Sequence, residues 1–139
     1  MSVRPSTNTA RVSLNGIEGS LISVNITVEA QDLEDLLEAL AHLEYPINPQ
    51  IYHQALAIYR YGDGREVCEP VTVVDFPAYM NWVGGVRQVL HLYGFDPARV
   101  HVLEMLEELH GDSEFQPAPE GAPYSAVRLI KQAALSVCA

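Results

Sequence analysis

The clearest pattern in the chain is an alternation. Ile22, Val24, Ile26 and Val28 are interleaved with Ser23, Asn25, Thr27 and Glu29. A period of two predicts a strand with one buried face and one polar face. Asn15 and Gly16 stand just upstream, and both tolerate positive φ, so they predict a hairpin turn after a short strand at residues 11–14. Leu33, Leu36, Leu37, Leu40 and Leu43 then follow at helical spacing, with Glu34, Asp35 and Glu38 on the other side. Asp32 suits the N-cap of that helix, and Pro46 forces an end to it.

Two more strands are predicted at residues 49–60 and 66–76, joined by a turn at Gly62-Asp63-Gly64. A two-residue Asp63-Gly64 loop would place Tyr59 opposite Cys68 and Leu56 opposite Val71. Pro70 interrupts the second of these strands, so either a bulge is expected there or a strand that begins properly at Val71. Pro77 suits the first turn of a second helix, whose stripe is Tyr79, Trp82, Val83, Val86, Val89, Leu90 and Tyr93. Gly94 supplies its stop. Gly84-Gly85 inside it predicts a close approach to another backbone. A last core strand spans residues 99–105. Residues 112–123 are rich in Pro, Glu, Gly and Ala and read as a linker. Ser125 opens a final short helix with Val127, Ile130, Ala134 and Val137 on one side.

The expected architecture is therefore one α+β domain over residues 1–139. Its core, residues 11–107, is a ferredoxin-like βαββαβ antiparallel sheet with two helices on one face. An extra N-terminal strand precedes it, and a linker and tail helix occupy residues 111–139. Val71 and Val73 are assigned to the helix-covered face. The opposite face is expected to carry Ser23, Asn25, Thr27, His53, Ala55, Ala57, Tyr59, Cys68, Thr72, Val74, His101 and Leu103.

Composition narrows the function classes. Eighteen acidic residues against eight basic ones give a net charge of −10, which repels nucleic acid and the anionic membrane leaflet. No apolar run reaches the roughly 20 residues of a membrane span. Residues 1–7 are polar and unlike a signal peptide, so a cytoplasmic location is expected. Cys68 and Cys138, the only cysteines, form no zinc spacing and read as reduced thiols.

Candidate chemistry is sparse. Asn25, His53, Tyr59 and His101 share the predicted open face and mark an interface or ligand surface. No catalytic, cofactor-binding or metal residues are assigned, and no cofactor is expected. Glu107 and His110 have the spacing of a di-iron helix motif, but such sites need two of them. Gly62-Asp63-Gly64 and Gly84-Gly85 lack the surroundings of a phosphate loop. Tyr52, Tyr59, Tyr61 and Tyr79 lack the basic residues of an RNA-binding sheet.

The two halves at residues 22–52 and 71–105 resemble ACT-like small-molecule regulatory domains. They are also similar to the dimeric α+β barrel proteins. The first resemblance implies a homodimeric regulatory module that binds a small molecule without catalysing a reaction. The second implies an enzyme with a pocket between stacked sheets. A purely structural protein-interaction domain is the third expectation.

Overall fold

The computed structural model describes residues 15–16, 19–105 and 114–131. Among them run strands β1 (Asn15–Gly16), β2 (Gly19–Val28), β3 (Gln50–Arg60), β4 (Glu66–Tyr79), β5 (Val100–Glu104), β6 (Gln116–Pro117) and β7 (Ala126–Ile130). The helices are α1 (Leu33–Leu40) and α2 (Val83–Leu92), each led in by a short 3-10 turn. The strand order is β5–β2–β4–β3–β7–β6, antiparallel throughout, with the two-residue β1 paired to the first residues of β2.

This is not the expected ferredoxin-like βαββαβ unit. Six antiparallel strands form a curled half-barrel sheet, with only two short helices beside it. Helices of 8 and 10 residues leave part of the sheet bare: the buried cluster against them draws on β2, β4 and β5 alone among the strands. The chief cause of the difference is the C-terminal segment. The expected tail helix is, as far as it is described, a strand: β7 pairs along β3 from Leu56–Ile130 to Arg60–Ala126. Val127 and Leu129 alternate onto a buried face, and β3 offers a free ladder edge that outweighs a weak helical spacing. The rest of the expected tail, residues 132–139, lies outside the described residues, as do residues 11–14 and Glu107 to His110.

Several local expectations also change. Asn15 and Gly16 are paired strand residues rather than a turn. The β3–β4 loop has three residues, because Tyr61 N–H donates to Arg65 O at 2.9 Å and Gly64 N–H to Tyr61 O at 2.9 Å. Gly64 has φ +89°, the left-handed residue that such loops require. The ladder is thereby shifted by one, with Tyr59 opposite Val67 and Leu56 opposite Pro70. The bulge falls on β3 between Tyr52 and Ala55, not at Pro70.

Pro70 and Pro77 both lie inside β4. Pairing to β2 ends at Thr72 and pairing to β3 ends at Asp75. Each proline thus sits where one neighbour has ended and its missing N–H breaks no ladder. Asp32 makes no side-chain cap bond. Gly84 and Gly85 are exposed with nothing near their Cβ positions, so no backbone approaches them. Gly94 does terminate α2, at φ +86°, with Phe95 N–H donating back to Leu90 O at 2.8 Å.

The main core lies under the helices. Ile22, Val24, Ile26 and Val28 of β2, Val74, Phe76 and Ala78 of β4 and Val100 of β5 pack against Leu36, Ala39 and Leu40 of α1 and Val83, Val86 and Leu90 of α2. A second, smaller cluster lies on the other face: Ala55, Ala57, Val71, Val73, Val127 and Leu129, edged by Tyr52, Tyr59 and Tyr124. Val71 and Val73 therefore face away from the helices, and Thr72 and Val74 are not on the open face. Cys68 is disulfide-bonded, which replaces its reading as a free thiol. Cys138 lies outside the described residues. Among those residues, no helix is long and apolar enough to cross a membrane.

Candidate functional site

The face opposite the helices is the inner face of the curl. Side chains bridge intervening strands there. Lys131, just past β7, pairs with Asp75 of β4 across β3, and Arg99, at the start of β5, approaches Glu69 of β4 across β2. Such reach is what curvature supplies, since flat neighbours two strands apart are roughly 10 Å apart.

Within this face β2 contributes Ser23, Asn25 and Thr27, all buried. They are the polar half of the alternation that identified the strand. The β2–β5 ladder puts Asn25 opposite His101 and Ile26 opposite Val100. Thr27 lies one residue beyond the last pair of that ladder, and Arg99 ends the 3-10 turn that leads into β5. On the other side of β2, Asn25 is opposite Asp75. The result is a polar row, His101–Asn25–Asp75, ending on the Lys131 ammonium. Beside it lie Arg99 and Thr27.

The hydrogen bonding of this patch is incomplete. Among the described residues, the buried side-chain polar atoms with no partner are Asn25 Oδ1, Thr27 Oγ1, Arg99 Nη1, His101 Nδ1 and His101 Nε2. All five belong to Asn25, Thr27, Arg99 and His101, around one end of the β2–β5 ladder. Asn25 spends its amide N–H groups on Ser23, at 3.1 Å to Oγ and 3.4 Å to the carbonyl, which leaves Oδ1 as a bare acceptor. The nearest carboxylate to Arg99 Nη1 is Glu69, at 3.9 Å, beyond hydrogen-bond range. Glu69 instead accepts from the Tyr59 hydroxyl at 3.0 Å.

The electrostatics follow from burial. Desolvation, with Arg99 and Arg87 adding to it, pushes His101 down to about 4. Its imidazole is therefore neutral at pH 7, with one donor and one acceptor nitrogen. Burial, reinforced by Glu69, raises the Tyr59 hydroxyl well above its ordinary range. Tyr124 stacks at a tilt on Tyr59, with centroids 4.5 Å apart, and burial pushes it up to about 12. These rings form the apolar end of the patch beside Arg99.

Of the four expected site residues, the structure brings Asn25 and His101 together. Tyr59 lies on the same face but is committed to Glu69. His53 is excluded: the bulge beside it moves it out to solvent. Thr27 follows from the alternation of β2, as Asn25 does, whereas Asp75, Arg99 and Lys131 join the site without a sequence pattern that singles them out. Asp75 carries the nearest thing to a signal, as a lone carboxylate within the run Val71–Phe76, all of it buried.

A groove lined by Asp32, Asp35, Glu38, Tyr93, Gly94 and Phe95 lies where the start of α1 meets the end of α2. No group of three or more His, Cys, Asp or Glu among the described residues is placed to hold a metal. Compared with known proteins, the chain matches no family model, and no curated protein shows significant similarity to it.

Proposed function

We propose that the chain is a small-molecule-binding module whose ligand sits on the inner-face patch of Arg99, Thr27, His101 and Asn25. One observation carries this reading: the unpartnered buried polar atoms of the described chain converge on this one patch. Each such atom costs roughly 1–3 kcal/mol when nothing meets it. The four on Asn25, Thr27 and His101 together would consume much of the roughly 5–15 kcal/mol that holds a domain folded, and the Arg99 atom, on a side chain 37% exposed, adds less. A bound polar molecule removes that cost.

Binding without catalysis fits the groups present. A histidine with its pKa near 4 is a weak base at neutral pH and serves better as a hydrogen-bonding wall. The proposal extends to a homodimer, supported by exposed Leu92 and Tyr93 at the end of α2 and Met80 before it, apolar surface that a second copy would cover. Light scattering that returned the mass of one chain would remove this extension.

Native mass spectrometry of the full chain, purified without added ligands, tests the binding reading. The expected result is a discrete small adduct that leaves on denaturation and is absent from the Arg99→Gln variant. The bare chain mass, together with crystallographic waters satisfying all five atoms, would overturn it.

A further inference from the structure

We infer that the molecule this patch takes is a small hydroxycarboxylate, its carboxylate on Arg99 and Thr27 and its hydroxyl turned to Asn25 and His101. The inference rests on the binding reading above and names its ligand class.

The two ends of the patch make opposite demands. Arg99 Nη1 has only hydrogens to offer, and a guanidinium asks most strongly for an oxyanion. The Thr27 hydroxyl, which can donate as well as accept, can add a donor to the same group. At the other end the amide of Asn25 is already spent on Ser23, so Oδ1 asks for a donor. The neutral His101 between them can take either role.

Charge limits the oxyanion to a single negative charge. Arg99 is flanked by Glu69 at 3.9 Å, and the Lys131 ammonium is already paired with Asp75. A dianionic phosphate would meet these carboxylates with the Arg99 guanidinium to offset it, Arg87 standing on α2, which packs on the other face. A carboxylate would not.

Charge also selects the donor at the far end. The cations that act on His101, Arg99 and Arg87, oppose an ammonium beside it, whereas a hydroxyl donates without carrying charge. Length agrees. Thr27 and Asn25, both within β2, are one pleat repeat apart, roughly 7 Å. A three- or four-carbon acid spans that once a hydrogen bond is added at each end.

The test is a titration of the full chain at pH 7 with four probes: 3-hydroxybutyrate, butyrate, 3-aminobutyrate and butane-1,3-diol. The readout is the NMR signals of the His101 ring and the Asn25 side-chain amide. The expected result is a saturable shift with 3-hydroxybutyrate. Each of the other three, lacking one complementary group, should bind roughly tenfold or more weakly. Thr27→Val, which keeps the shape of the strand, should weaken 3-hydroxybutyrate by roughly tenfold, and Arg99→Gln should abolish its shift.

If 3-aminobutyrate or the diol binds as tightly as 3-hydroxybutyrate, the hydroxycarboxylate class is overturned and the binding reading stands. The class is likewise overturned, and binding likewise stands, if no probe shifts either residue while the purified chain still carries a small adduct. If no probe shifts them and no adduct is found, both readings fall.

Discussion

The two faces of the sheet are built from the same strands and differ in what closes them. Beneath the helices, fourteen buried apolar side chains form one cluster with no polar atom in need of a partner. On the inner face, six buried apolar residues share the space with Asn25, Thr27, Asp75 and His101. That face holds every unpartnered buried polar atom among the described residues. The first face is finished by the chain itself. The second is built to stability's disadvantage, as functional surfaces commonly are.

Truncating the larger core should give the largest effect. Phe76 is 1% exposed, and Phe76→Ala should cost about 3–5 kcal/mol in denaturant unfolding, through lost burial and the cavity left behind. A cost below about 1 kcal/mol would mean that the helix-covered face is not the main source of stability.

Acid should act on the other face. In the unfolded chain His101 takes a proton near its ordinary 6.5, whereas in the fold it resists until about 4. Between those values the unfolded state binds more protons, so stability falls as pH falls. The loss begins below about 6.5 and is complete below about 4, on the order of 3 kcal/mol in all. In the His101→Asn variant that part of the pH dependence should vanish. A wild-type profile indistinguishable from the variant's would show that His101 is not sealed from solvent.

The smallest effect has the opposite sign. Thr27→Val removes an unmet hydroxyl and keeps its shape, so the ligand-free protein should gain about 1 kcal/mol. Destabilisation would show that Thr27 has a partner after all, and the contrast between the faces would weaken.

The site is unevenly legible in the sequence, for a physical reason. Asn25 can be placed because β2 alternates cleanly, apolar toward the helices and polar away from them. His101 follows, because Val100 and Val102 flank it with the same parity. Parity on β4 cannot be read. Val71, Thr72, Val73, Val74, Asp75 and Phe76 are buried on both faces, and a continuous buried run has no polar side to orient it. Val71 and Val73 accordingly lie on the face opposite to the expected one, and Asp75 does not stand out. His53 is misplaced because a bulge reverses parity between Tyr52 and Ala55, and nothing in Tyr52-His53-Gln54-Ala55 announces it.

The sequence by itself determined the amphipathic strand β2, the first helical stripe and the second from Trp82 on (Pro77 and Tyr79, expected in that helix, lie in β4), the Gly94 stop and the polar character of the Asn25 face. All of these are local, set by periodicity and backbone sterics within a few residues. Only the tertiary structure decided that residues 126–130 are a strand, that the sheet curls, and that Arg99, Thr27, His101 and Asn25 meet as one patch. A short apolar segment takes the conformation that its neighbours can pair with, and β3 presented an open edge. Curvature and convergence are properties of strands paired across long stretches of chain, and no window of sequence contains them.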